Sequence, residues 1–347
     1  MQVGRARTLA IEWVLQLGSK ERGFLGAYFS GSIVDMADAA ELPESSDVDI
    51  VVVSALEEPP PKPGKFLYHG ALLEVTPLAW RELAVVEDVL SSHHLAHSLS
   101  KGTIIADPSG RIHQLRAQVA LHYADDEWVR RRCRAVLHKI EGGLRSIDAA
   151  APFHDQVTGW LFPTGITTHV ILLAALRNPT VRQRYSAARR VLLEYGRTDF
   201  YLGLLELLGC AHLAAPHIEK HLGELAKIFD AAAAVARTPF SFSSDITAAA
   251  RPIAIDGSRG LIGAGDHREA VFWMVATFAR CHKILATDAP PELARTHLPA
   301  FEAMMADLGI VSSQDIARRA HEVTQFLPRL WAMAEEIISQ NSGLIHR

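Results

Sequence analysis

At 347 residues, 49% hydrophobic and 21% charged, the chain has the composition of a globular protein of about two domains. No apolar run of the ~18 residues a membrane span needs stands out, the first residues lack a secretory pattern, and three widely spaced cysteines (Cys133, Cys210, Cys281) do not make a disulfide or zinc framework. The expectation is a cytoplasmic protein with reduced core thiols and no membrane partner. Charge is uneven: residues 1–110 carry net −7 and residues 111–347 net +3, which suits a cation site in the first part and disfavours a broad nucleic-acid surface there.

The spacing of Leu9, Trp13, Val14 and Leu17 predicts a helix over 8–17, ended by Gly18. A strand follows over 24–29. Ser30-Gly31-Ser32 then forms a tight turn into a short helix over 33–39. Small residues in such a turn let backbone N–H groups approach an anion, although a Gly-Ser pair is by itself only a turn signal.

Ser46 leads into a strand over 48–53, with Asp47 and Asp49 two residues apart at its mouth. Residues i and i+2 of a strand share a face, so the two carboxylates project together while Val48 and Ile50 point the other way. Side by side they repel, and a divalent cation relieves that repulsion. The proline-rich segment 59–64 is a stiff connector. Strands over 65–68 and 71–75 follow, turned by His69-Gly70, the second carrying Glu74 among aliphatic residues. Glu74 is either a solvent-facing edge charge or a carboxylate with a partner. Thr76-Pro77 predicts a helix start, with that helix running to about Leu90. His93, His94 and His97 lack accompanying ligands at metal spacing and read as a surface or domain-junction cluster. A last strand is expected over 103–106, before the turn Asp107-Pro108-Ser109-Gly110.

From Asp125 helical patterns dominate: 125–147, 167–177, 181–194, 200–208, 218–235, 267–285, 293–308 and 313–338, with a loop expected over 238–265. Arg182, Arg184, Arg189 and Arg190 are candidate phosphate contacts or a solvated helix face. Trp160, Phe162, Trp273 and Phe278 are candidate pocket linings or core. The fold class is α+β: a small mixed sheet flanked by helices over 1–120, then an all-α helical bundle over 121–347.

Phe29-Ser30-Gly31-Ser32, then Ser46-Asp47-Val48-Asp49, then Leu73-Glu74-Val75 resembles the DNA polymerase beta-like nucleotidyltransferase superfamily, and within it the aminoglycoside (kanamycin- and streptomycin-type) nucleotidyltransferases. The likeness covers roughly residues 8–148. The small-Arg-Gly residues that often follow the Gly-Ser pair are replaced by Ile33-Val34-Asp35-Met36. The resemblance implies an enzyme that moves a nucleoside monophosphate, AMP from ATP or from another NTP, onto a hydroxyl-bearing small molecule with release of pyrophosphate. It implies two Mg²⁺ ions on Asp47, Asp49 and Glu74, with Glu74 either third ligand or general base. It also implies nucleotide contacts from Ser30, Gly31, Ser32, Ser46 and Lys139, and an acceptor or nucleotide-closing role for the helical domain. A protein or tRNA acceptor, an inactive nucleotide-binding relative and a homodimer stay open as alternatives.

Overall fold

The computed structural model describes residues 1–101 and 103–345. It is an α+β protein, with a mixed five-stranded sheet near the N-terminus followed by a largely helical region. Two compact units divide it. One comprises Met1–Ala135, Leu173–Val181 and Ile338–Arg347; the other comprises Val136–Leu172 and Arg182–Ile337.

In the first unit, helix α1 (Val3–Gln16) precedes β1 (Phe24–Ser30), β2 (Val48–Ser54), β3 (Gly64–Tyr68), β4 (Ala71–Ala79) and, after α2 (Val86–Ser91) and α3 (Ala96–Lys101), β5 (Ile104–Ala106). The spatial order is β3-β4-β2-β1-β5, antiparallel except for the parallel β2–β4 pair. Alternation along the strands builds two cores. Ala27, Phe29, Val48, Ile50, Val52, Leu73 and Val75 pack with Val3, Ala6, Leu9, Ala10 and Val14 of α1. On the other face, Tyr28, Val51, Val53 and Leu78 pack with α2, α3 and α4 (Arg111–His122) through Val89, Leu90, Leu99, Ile112, Leu115 and Val119. Each Val, Leu, Ile or Phe among them, fully buried, stabilises the fold by about 1.5–3 kcal/mol before entropy is subtracted. The sheet is therefore held rigid on both faces, and its strand ends are fixed points for whatever they carry.

Three expectations for this unit change. Thr76-Pro77 does not start a helix; β4 runs on to Ala79, pairing Pro77 with Val52. The β3 partner ends at Gly64 opposite Val75, so beyond Val75 that side of β4 is an open edge, where a proline's missing N–H costs nothing. The short helix expected over 33–39 is a single 3-10 turn, Gly31–Asp35. Arg7 ties down the end of this turn, its guanidinium donating to the Ile33 and Met36 carbonyls. Helix α4 fell outside the predicted elements; Gly110, at φ +73°, starts it, and Asp107 Oδ2 accepts from the His113 N–H.

Helix α5 (Asp126–Arg145) begins in the first unit and ends in the second. Then come α6 (Phe153–Gly165), α7 (Thr167–Ala174), α8 (Arg184–Glu194), α9 (Thr198–Leu208), α10 (Ala215–Val235), α11 (Gly257–Gly263), α12 (His267–Asp288), α13 (Pro291–Asp307) and α14 (Ser313–Gln340). The second unit centres on α12, which is buried along most of its length from Glu269 to Leu285 and packs against α6, α10 and α11. The loop expected over 238–265 is half helix. Residues Pro252–Asp256 form a π turn leading into α11, because Ile253, Ala254 and Ile255 have a core to enter. By length and composition the stretch Phe153–Ala174 could cross a membrane, but 72% of its apolar window is buried inside the protein, the setting of a core helix. Cys133, Cys210 and Cys281 are buried and not in disulfides, and burial pushes the thiols of Cys210 and Cys281 up, away from reactivity.

Candidate active site

On the face of the sheet that packs against α2–α4, the aliphatic residues give way to charge at one end. The strand register sets Ser30 of β1 beside Asp49 of β2, Asp49 beside Glu74 of β4, and Glu74 beside Lys65 of β3. Four strands thus contribute one residue each to a continuous row. Asp47, just before β2, joins it with the same parity as Asp49. Each of Asp47, Asp49 and Glu74 offers an oxygen within 4.8 Å of the others, and among the described residues this is the one such cluster of potential metal ligands.

The turn after β1 presses on the row. Gly31 has φ +66°, and a Cβ placed on it would stand 1.9 Å from Asp49 Oδ2. Only glycine fits there. The turn is braced from behind by Asn178, whose Nδ2 donates to the Gly31 carbonyl (3.0 Å) and to Asp35 Oδ2 (2.8 Å). The same Asp35 oxygen lies 2.8 Å from His97 Nε2, and His97 Nδ1 lies 2.9 Å from the Tyr123 hydroxyl. Arg132 stacks on the Tyr123 ring at 4.5 Å and donates to the Leu90 and Tyr123 carbonyls. His97 is 4% exposed, so of the surface or domain-junction cluster expected of the three histidines the surface setting does not hold for it; its neighbours His93 and His94 are half-buried and exposed.

Two lysines offset part of the carboxylates' charge. Lys65 Nζ lies 3.2 Å from Asp47 Oδ2 and 2.5 Å from Glu74 Oε2, and Lys62 pairs with Glu74 Oε1. Burial raises Asp47, with Glu74 adding to the effect and Lys65 opposing it. Burial, then the charges of Asp47 and Glu74, push Asp49 well above the usual carboxylate range. Burial would raise Glu74 too, but Lys65 and Lys62 outweigh it and hold that carboxyl at about 2. With Asp47 and Asp49 both raised, by burial first and by neighbouring carboxylates second, the cluster is short of positive charge. The residues fit a hard divalent cation, since they supply clustered carboxylate oxygens and an ammonium already stands among them as a cation in miniature.

Of the other residues singled out from the sequence, Ser30 lies in the row, Ser32 is exposed at the start of the Gly31–Asp35 turn, and Ser46 sits in a turn in which its N–H donates to the Pro43 carbonyl (2.9 Å). Lys139 is exposed on α5, in the second unit. Within that unit Arg182 donates to the Ile253 carbonyl and stacks on Trp273, Arg184 is buried against Phe272, and Arg189 pairs with Asp266 and Glu269. These arginines build the helical unit; Arg184 in particular is no solvated face. Trp160, Trp273 and Phe278 are core. Lys62, Lys65 and Asn178 were not singled out. For Lys65 a signal existed: a two-residue turn at His69-Gly70 pairs Tyr68 with Ala71 and, counting outward, Lys65 with Glu74.

Comparison with known protein families produced no match, and comparison with curated proteins produced none either.

Proposed function

We propose that the first unit is a metal-dependent nucleotidyltransferase that moves AMP from ATP, or the equivalent group from another NTP, to a hydroxyl of a small molecule such as an aminoglycoside-like antibiotic. The observation that carries this reading is the convergence of Asp47, Asp49 and Glu74 on neighbouring strands with the Gly31 turn packed against Asp49. The acceptor oxygen attacks the α-phosphorus in line as its hydroxyl proton passes to water, the bond to the bridging oxygen of the β-phosphate breaks, and pyrophosphate leaves with the electron pair. Mg²⁺, when bound, would neutralise the charge that develops on the attacking and leaving oxygens.

The chain's own residues divide the work. Asp47 and Asp49 hold the cation. Backbone N–H groups of the Gly31–Asp35 turn, and the exposed Ser32 hydroxyl, face the phosphates. Glu74, held at about 2 by its lysines, suits the holding of positive charge better than the taking of a proton, since a base works best with a pKa near the working pH. A cationic acceptor is favoured by the acidic balance of the first 110 residues.

The test is to incubate the purified protein with each NTP, Mg²⁺ and a panel of aminoglycosides, lincosamides and bulk tRNA while following pyrophosphate. Release that requires one small-molecule acceptor and disappears in Asp49→Asn supports the reading. Release only with tRNA moves the acceptor to nucleic acid. No release with any acceptor, together with Mg²⁺–NTP binding unchanged by Asp47→Asn and Asp49→Asn, removes the site assignment.

A further inference from the structure

The lysines in the carboxylate cluster differ in how they are held. Lys62 lies in the proline-rich connector between β2 and β3, and its side chain is 38% exposed; Lys65 is a strand residue of β3 and its side chain is 7% exposed. Lys65 is also fixed in register. The β3–β4 hairpin closes on His69 and Gly70, both at positive φ, which pairs Lys65 directly with Glu74. Its ammonium touches both Asp47 and Glu74. To leave, it would have to give up two ion pairs while its backbone stayed tied into the sheet.

Two-ion sites place their cations about 3.5–4 Å apart, bridged by carboxylates. In this chain the space between Asp47 and Glu74 already holds a +1 charge, the Lys65 ammonium. Three carboxylates with Lys65 and Lys62 leave a net charge of −1, which one divalent cation reverses to +1 before the anionic triphosphate binds.

We propose that Lys65 is a resident cation of this site, occupying the position between Asp47 and Glu74, so that the protein binds one divalent cation, on Asp49 and Asp47, and uses the Lys65 ammonium in place of a second. The inference rests on the metal-dependent reading above and narrows the two-ion expectation to one ion plus lysine. Lys62, exposed and on the connector, is then the exchangeable charge, free to pass from Glu74 to the triphosphate.

The experiment is Mn²⁺ binding to the full chain, followed by electron paramagnetic resonance and equilibrium dialysis, with Mn²⁺ alone and again with a non-hydrolysable ATP analogue. Wild type is expected to take one Mn²⁺ per chain in both conditions, with no exchange-coupled pair. Lys65→Met is expected to take two, with the coupled signal, and Lys62→Met one. Lys65→Gln serves if the methionine variant does not fold. A coupled pair in wild type, or a single Mn²⁺ in the Lys65 variants as in wild type, overturns the proposal while leaving the metal site standing. No Mn²⁺ bound by any of the proteins overturns the metal reading itself, and the proposal with it.

Discussion

Gly31 and Asp49 are in such close contact that a single added carbon on Gly31 would lie 1.9 Å from Asp49 Oδ2. The left-handed φ of +66° makes a side chain unfavourable there even without the collision. Gly31→Ala is therefore expected to displace the Asp49 carboxylate, to lower Mn²⁺ affinity at least tenfold and to cost roughly 1–2 kcal/mol of stability. Isothermal titration and thermal unfolding on the same preparation check both parts. Unchanged Mn²⁺ affinity would separate the turn from the metal site.

Asp49 is expected to behave as a residue kept for function at the cost of stability. Its folded pKa lies above the ~3.9 of an unfolded Asp, so its ionisation works against the fold as pH rises from about 4 through the raised value. Asp49→Asn in EDTA should raise Tm at pH 7–8 by about 2–4 °C, the shift that roughly 1 kcal/mol produces in a domain of this size. The gain should vanish near pH 4. Saturating Mg²⁺ should raise the Tm of wild type and leave that of Asp49→Asn unchanged.

Glu74 has the opposite sign. Held at about 2, below the ~4.3 of an unfolded Glu, it contributes stability that is full above pH 4–5 and is lost as pH falls through about 2. Glu74→Gln is expected to lower Tm at pH 7 and to leave Lys62 and Lys65 with less negative charge to hold them. Its Tm difference from wild type should shrink steadily in an acid titration between pH 5 and pH 2.

Asn178 reaches the Gly31 carbonyl and Asp35 from a segment more than 140 residues away in sequence. Asn178→Ala removes both hydrogen bonds, and about 1–3 kcal/mol is the usual result of leaving such groups unpaired. The expected signature is weaker nucleotide binding with Mn²⁺ stoichiometry unchanged, because Asn178 supports the turn and not the carboxylates. Fluorescent-nucleotide titration and Mn²⁺ dialysis distinguish the two.

Much of the sheet was legible because its signals are local. Alternation of Val48, Ile50 and Val52 against Asp49, Val51 and Val53 places β2 and assigns its two faces, and the expected strands agree with the observed ones to within a few residues except where β4 continues. That exception was hidden because Thr76-Pro77 has the local chemistry of a helix start, whereas the fact that decides it, the end of β3 at Gly64, is tertiary. Parity put Asp47 and Asp49 on one face, but Glu74 joined them only through the family resemblance, because the parallel β2–β4 pairing that sets Glu74 beside Asp49 is tertiary. Lys65 was overlooked although hairpin counting reaches it. The Asn178 brace and the Asp35–His97–Tyr123 chain were out of reach, since no local pattern announces a contact across that much sequence. In the helical unit, Ile253, Ala254 and Ile255 were masked by surrounding Ser, Pro and Gly, and only the presence of a core for them to enter makes that stretch helical.

The most direct measurement is anomalous diffraction from crystals grown with Mn²⁺ and a non-hydrolysable ATP analogue. The expectation is a Mn²⁺ peak at coordination distance from Asp47 and Asp49, with the triphosphate against the Gly31–Asp35 turn and Lys65 still between Asp47 and Glu74. Nucleotide or metal bound elsewhere, with no peak at these carboxylates, would contradict it.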